Sequence, residues 1–292
     1  IRRQRQMCIR DRKTTGFELQ AKWSDKLSNG FAYSVGVALS DDKAEVLSYP
    51  SNPTNKIGDG VLYKGYTVGD IWGYETGGIL QESDFDGVGP NGKPLYHGAY
   101  FKGGQPYPGY VWYQDLDHDG VITSGLSTVD DPGDKKVIGN NAPRYRYNIT
   151  ANFQYKGFDL DLMFQGVGKR DYWLKDVSSY WGGGAGSWET YNQSWTPERT
   201  DAKFPMYGSG IGSYAQSGYL LDASYIKLKQ VILGYTFPKA LIGKVGLEKL
   251  RLNIAAYNLF TLSDVPKYYD SDYLSDAYPP KRTFSVGIQV GF

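Results

Sequence analysis

Residues Phe284, Val286, Ile288, Val290 and Phe292 alternate with Ser285, Gly287, Gln289 and Gly291 up to the chain end. A period of two places every apolar side chain on one side of an extended backbone and the small or polar ones on the other, so this segment is a β-strand with a single apolar face. The same period recurs along the chain. Phe17, Leu19, Ala21 and Trp23 share a face against Glu18, Gln20 and Lys22, and Phe31, Tyr33, Val35, Val37 and Leu39 resume the pattern after a turn of Asp25 to Gly30. Tyr145 to Tyr155 and Phe158 to Gln165 flank the pair Lys156-Gly157, which reads as a tight hairpin with Asp159 and Asp161 alternating with Phe158, Leu160, Leu162 and Phe164. In Tyr225 to Tyr235, Lys227 and Lys229 share a face, and Pro238, which has no N–H to give a ladder, ends the strand. Leu250, Leu252, Ile254, Ala256 and Asn258 then form one side of a strand opposite Arg251, Asn253, Ala255, Tyr257 and Leu259.

The connections between these strands fall into two lengths. Residues 24 to 30, 156 to 157 and 238 to 247 are short, whereas residues 41 to 143, 169 to 218 and 261 to 281 are long. Short turns alternating with long loops are the habit of β-barrels that cross a lipid bilayer. No run of about 18 apolar residues occurs, which removes transmembrane helices but not transmembrane strands, since these carry only half the apolar content. The mean hydropathy of -0.48 agrees with strands rather than helices in lipid. The 26 tyrosines and seven tryptophans suit the level where hydrocarbon meets headgroups. The alternative is a Tyr-rich, soluble, calcium-stabilised carbohydrate-binding β-sandwich. A net charge of +1 gives no field that would draw nucleic acid, and no such partner is expected. The single cysteine, Cys8, excludes disulfides within the chain.

Residues 1 to 12 are Arg-rich and fit no strand period, and they are set aside as a non-native or disordered tail. Residues 13 to 292 are then expected to be an all-β, partial antiparallel transmembrane barrel with residues 41 to 143, 169 to 218 and 261 to 281 as extracellular loops. Seven strands cannot close a barrel in lipid, which tolerates no unpaired edge, so the chain is expected to be the C-terminal part of a larger one. A terminal Phe on such a strand is similar to the recognition signal that outer-membrane barrels present to their assembly machinery.

Specific segments carry a family resemblance. Gly65 to Gln81, Asp115 to Thr123 followed by Val137 to Asn140, Ser194 to Glu198, Ala223 to Lys229, Leu233 to Pro238, and Asn258 to Thr261 resemble, in order, segments of the SusC/RagA branch of TonB-dependent receptors. The resemblance spans residues 16 to 292. It implies an importer of the cell outer membrane with a barrel of roughly 22 strands, plugged by an N-terminal domain and energised through the TonB system. It also implies a SusD-like surface lipoprotein as partner, outer-membrane lipid around the barrel, and an oligosaccharide (glycan) or peptide substrate.

One constellation carries chemistry. Asp115, Asp117 and Asp119 with Gly120 form the start of a calcium loop, in which carboxylates at alternate positions converge on a hard cation and Gly permits the sharp turn. Val121 would add its carbonyl, and Thr123 occupies the position that often acts through water. The twelfth position, where an acid is wanted, is Leu126. By the resemblance, Asp134 precedes Lys135 to Gly139 as the family's closing acid precedes its own Ile-Gly, with residues 124 to 131 inside an insertion. Asp134 is therefore the candidate closing ligand, Asp130 and Asp131 competing with it. The bland alternative is a solvated acidic turn.

No nucleophile motif is present, His97 and His118 have no Cys or His neighbour in sequence, and paired acids lie scattered in strands and loops, so an enzyme is not expected. Tyr66, Trp72, Tyr74, Tyr107, Tyr110, Trp112, Trp173, Tyr180, Trp181 and Trp188 stack on sugar rings or a partner, or pack the long loops together. Packing is preferred for most, because aromatic side chains bury large areas with few rotamers to freeze. Gly182-Gly183-Gly184 precedes no helix pattern and reads as a loop tip rather than a phosphate loop.

Overall fold

The computed structural model describes residues 11–173, 191–209, 214–265, 270–274 and 280–292. Two long strands come first, β1 (Asp11–Lys26) and β2 (Ala32–Ser48). Six short ones follow: β3 (Asp70–Tyr74), β4 (Thr76–Ile79), β5 (Tyr100–Phe101), β6 (Val111–Tyr113), β7 (Val121–Ile122) and β8 (Lys135–Asn140). The hairpin strands are β9 (Arg144–Tyr155) and β10 (Phe158–Lys169), the next two short strands β11 (Asp171–Trp173) and β12 (Leu220–Asp222), and the last long ones β13 (Tyr225–Thr236), β14 (Lys249–Leu262) and β15 (Thr283–Gly291). Two compact units result, one containing Thr14–Lys43, Pro143–Arg170 and Asp222–Phe292, the other containing Ala44–Ala142 and Asp171–Leu221. None of the described helices is long and apolar enough to cross a membrane.

The first unit is a sheet of seven strands in the order β1-β2-β9-β10-β13-β14-β15, with no crossover among them. It holds the seven strands that alternation predicts, although β1 starts at Asp11, within the segment set aside, and β2 runs to Ser48, past the start of the first long connection. Turn chemistry sets the order. Lys156 and Gly157 both have positive φ, 47° and 88°, the two-residue turn whose twist matches the strands it joins. At the β1–β2 turn, Gly30 N–H donates to Leu27 O and Leu27 N–H to Phe31 O.

Register decides which side chains share a face. Tyr33 lies opposite Phe153, Phe153 opposite Leu160, Leu160 opposite Leu233, Leu233 opposite Ile254 and Ile254 opposite Val286, so one apolar row crosses six strands. The neighbouring row, Ser34, Asn152, Asp161, Ile232, Ala255 and Ser285, lies on the other face. This second face carries side-chain bonding: Asn152 Nδ2 donates to Asp161 Oδ1 at 2.5 Å, and Arg251 forms a two-pronged ion pair with Asp159, Nε to Oδ1 at 3.1 Å. That pair reaches across β13 directly above Gly234, where a Cβ would overlap the guanidinium and both carboxylate oxygens. Glycine is needed there for the approach of its neighbours.

The apolar face is the exposed one. Val286 is 82% exposed, Phe284 68% and Ile254 56%, the reverse of a soluble sheet, which buries its apolar side. Among the described residues of this unit no second sheet lies against these side chains, and the sandwich alternative requires one.

One strand breaks strict alternation. Between Leu228 and Gln230 the β13 register shifts against β14, and against β10 the break falls between Met163 and Phe164. Against β10 Lys229 is the extra residue, while against β14 the extra residue belongs to β14, whose Asn258 and Leu259 both stand opposite Lys229. Phase therefore inverts within β13: Ile226 and Leu228 lie on the apolar face on one side of Lys229, and Val231, Leu233 and Tyr235 on the other.

The second unit is organised by short ladders rather than one sheet. β3 pairs with β8 and β4 with β6, both antiparallel, while β5 and β7 pair in parallel, Tyr100 opposite Val121 and Phe101 opposite Ile122. Two apolar clusters form beside them, Val46, Ile57, Tyr63 and Tyr66 in one, Tyr74, Val111, Tyr113 and Ile122 in the other. Trp72 donates its indole N–H to Tyr63 Oη at 2.9 Å, so an amphipathic ring is buried with its polar atom satisfied. The connection of residues 41 to 143 is thus a packed structure, which its Gly and Asp content masks in sequence.

Candidate functional site

Asp115 opens a turn in which each carboxylate folds back on the backbone. Gly120 N–H donates to Asp115 Oδ2 at 2.8 Å, Asp119 N–H to Asp117 Oδ1 at 3.2 Å, and Val121 N–H to Asp119 Oδ1 at 2.8 Å. His118 at φ 61° and Gly120 at φ 84° supply the left-handed steps that such a turn needs. Asp134 is fully buried and clasps both ends of the turn, accepting Leu116 N–H and Thr123 N–H at 2.7 Å each. Carboxylate oxygens of Asp115, Asp117 and Asp134 lie within 4.8 Å of one another.

Asp134, placed by resemblance alone, thus joins Asp115 and Asp117 despite the residues between them. The competitor Asp131 is taken up in a local turn instead, with its N–H donating to Thr128 Oγ1 at 3.1 Å. Asp119 stands outside the trio, and Val121 lies in the β5–β7 ladder. Thr123 accepts Gly125 N–H on its hydroxyl at 3.2 Å.

The electrostatics favour a cation. Burial works against the Asp115 carboxylate, yet the Gly120 and His118 amides outweigh it and hold its pKa below the usual value. Burial, and after it the charges of Asp134, Asp119 and Asp115, push Asp117 up. Asp115 Oδ1 is buried with no hydrogen-bond partner among the described residues. An orphaned oxygen beside two further carboxylates is an all-oxygen donor set, which suits calcium better than zinc or copper, ions that favour imidazole and thiolate ligands. The residues present therefore fit the ion.

A second charged cluster lies on the sheet unit. Lys227, only 2% exposed, donates from Nζ to Asp270 Oδ2 at 2.9 Å and to Asp272 Oδ2 at 2.8 Å. Lys229, at the bulge, reaches the same Asp272 oxygen at 3.1 Å. Burial pushes the Asp272 carboxyl up, but bonds from Lys227, Tyr225 and Lys229 hold it below its ordinary value. Sequence reading noticed the lysines and missed their partners, 43 and 45 residues further on.

The fold that carries these clusters has known counterparts. No family model matches the chain. It is 26% identical to the TonB-dependent receptor P3 of Formosa agariphila over 97% of its own length, and 26% identical to the TonB-dependent receptor SusC of Bacteroides thetaiotaomicron over 63%. A solved structure of the RagAB peptide transporter superposes on 96% of the chain with a TM-score of 0.69 at 18% identity. The chain is similar to SusC/RagA proteins and has the fold of a TonB-dependent receptor barrel. The chain covers 29% of the P3 receptor, 19% of SusC and 29% of the matched RagAB chain, so its sheet is a segment of wall and not a closed barrel. That accounts for β1 and β15, the first and last strands of the sheet order, each having one neighbour.

In this SusC/RagA-like chain the loop aromatics divide by burial. Tyr66 and Tyr74 are buried in the two apolar clusters, and burial pushes the Tyr74 hydroxyl up to about 12. Tyr107 and Tyr110 pack on each other with ring centroids 5.5 Å apart. Tyr180, Trp181, Trp188 and the Gly182-Gly183-Gly184 run lie outside the described residues.

Proposed function

We propose that the chain is part of the wall and loops of an outer-membrane importer that is driven through TonB, works with a SusD-like surface lipoprotein, and carries oligosaccharides or peptides inward. The apolar row from Tyr33 to Val286 is the observation that carries this reading. An aligned apolar face on the exposed side of a sheet stabilises the protein only where hydrocarbon covers it, and each Val, Leu, Ile or Phe so covered contributes about 1.5–3 kcal/mol. The opposite face, with Asp159, Asp161 and Arg251, would then line the polar interior. The likeness to the RagAB peptide transporter supports transport and a peptide cargo, while the TonB-dependent receptors that the chain resembles support the TonB-driven part of the reading without specifying a cargo. The expected result is that the native protein stays with the outer membrane through alkaline carbonate washing and is released by detergent, and that disrupting its gene abolishes uptake of one oligosaccharide or peptide class. Release by carbonate alone would end the membrane reading; unimpaired uptake of every such class would end the import reading.

We also propose that Asp115, Asp117 and Asp134 hold a calcium ion, with Asp119, Val121 and Thr123 completing the loop around it. The ion would neutralise converging carboxylates and pin the two ends of the connection together, a structural role. Millimolar calcium is expected to protect residues 115–134 from protease, and Asp117→Ala to weaken that protection about tenfold in calcium concentration. Because Asp117 is exposed, its removal leaves the Asp134 clasp intact. Equal protease resistance with calcium and with chelator would dispose of the site.

A further inference from the structure

The second unit holds a half-open cavity of about 240 Å³ whose lining includes Tyr96, Phe101, Tyr110, Trp112, Tyr113 and Ser209. Its walls are fixed by ring packing. Phe101 stacks on Tyr214 at 5.0 Å and meets Tyr113 edge-on at 5.5 Å, and Ile122, the residue of β7 opposite Phe101, is 1% exposed. Among the described residues, no charged side chain lines it. Burial holds the Tyr113 hydroxyl far above its usual pKa, so that group stays neutral as well.

Two buried hydroxyls on this apolar wall lack a hydrogen bond of good geometry among the described residues: Tyr113 Oη, which has Gln216 beside it, and Ser209 Oγ, which has no such neighbour. Ser209 is nine-tenths buried, lines the cavity, and its Oγ has no hydrogen-bond partner among the described residues. A buried hydroxyl without a partner is costly, and such groups are retained where something else satisfies them. Size and polarity narrow the occupant. Apolar cavities of about 150 Å³ accept a benzene ring, so the space suits one substituted ring. A pyranose would bury several hydroxyls against a wall that offers few polar atoms, each unmatched one disfavouring it. A charged group would find no counter-ion.

We propose that this cavity binds a neutral phenolic ring, as the tyrosine side chain of a peptide presents it, with the ring among the aromatic walls and its hydroxyl bonded to Ser209. Binding to purified protein does not depend on import, so failure of the transport reading leaves this one standing, and the converse holds too.

The test is calorimetric titration of the detergent-solubilised protein with N-acetyl-L-tyrosinamide, N-acetyl-L-phenylalaninamide and maltose. Saturable binding of the tyrosine amide is expected, about fivefold or more tighter than the phenylalanine amide, because one hydrogen bond is gained. Ser209→Ala is expected to erase that preference while leaving the phenylalanine amide unchanged, and Ala99→Phe, which fills the cavity, to abolish binding of both amides. Three results would overturn the proposal: no saturable binding of either amide, equal affinity for the two in the unaltered protein, or maltose binding more tightly than both. A Ser209→Ala protein that weakens both amides alike would overturn the assigned hydroxyl contact, since a purely structural serine behaves that way.

Discussion

Val286→Arg destabilises the bilayer-inserted protein by about 2–4 kcal/mol, whereas Ser285→Arg, one residue away, leaves it within about 0.5 kcal/mol of the unaltered protein. The two positions differ only in face. Val286 stands opposite Ile254 on the exposed apolar side, and Ser285 stands opposite Ala255 on the other. In water the result would be different, because a side chain already 82% exposed in the folded chain can be exchanged for a charged one at little cost. The large penalty arises solely if hydrocarbon lies against Val286, where an arginine must be desolvated or must deform the bilayer to reach water. Urea unfolding of both variants in phospholipid vesicles, read by tryptophan fluorescence, makes the comparison. Two equally mild variants would mean that lipid does not touch this face.

Lys227→Met is expected to cost about 3–5 kcal/mol, the range for removing one member of a buried ion cluster. The methionine fills the same space but leaves Asp270 and Asp272 facing each other without the cation that holds both. Lys229 reaches only Asp272 and cannot replace it. Adding Asp270→Asn and Asp272→Asn to the same variant should recover most of the loss, because the penalty comes from stranded charge rather than from the absence of a pair. Hydrogen exchange over residues 270–274 is the direct readout, since Tyr273 and Leu274 donate their amides to Asp270 O. The pH dependence has a definite sign. Asp272 is held below its ordinary pKa, so its contribution is fully present above the usual carboxylate range and fades as pH falls through its own lowered value. Unchanged exchange in Lys227→Met would remove the cluster from any account of how this connection is anchored.

The strands were legible because their cause is local. Phe284 to Val290 alternate whatever the rest of the chain does, and Gly157 marks a tight turn because glycine accepts the positive φ the turn needs. Strict alternation misplaces part of β13: it groups Lys227 and Lys229 with Val231 and Leu233, while the bulge moves the last two to the apolar face. A bulge reflects how neighbouring strands pair, and no single-strand pattern contains that information. The short ladders of β3 to β8 are equally hidden, since two to six residues among glycines carry no period. In the acidic loop, Asp115 and Asp117 were readable from spacing and Asp134 from resemblance. Asp119 turned out to bond Val121 N–H, a choice that depends on backbone angles. Asp270, Asp272 and Ser209 gave no signal at all, because their significance comes from residues far away in sequence.

The irregularity at Lys229 also bears on how this strand tolerates changes of length. Losing or gaining one residue elsewhere in β13 would swap inside for outside along everything beyond it, and natural selection would remove such a frame slip. Deleting Lys229 would instead bring Leu228 and Gln230 into plain alternation against β10 without turning either half over, leaving only Asn258 and Leu259 of β14 to close up opposite the join.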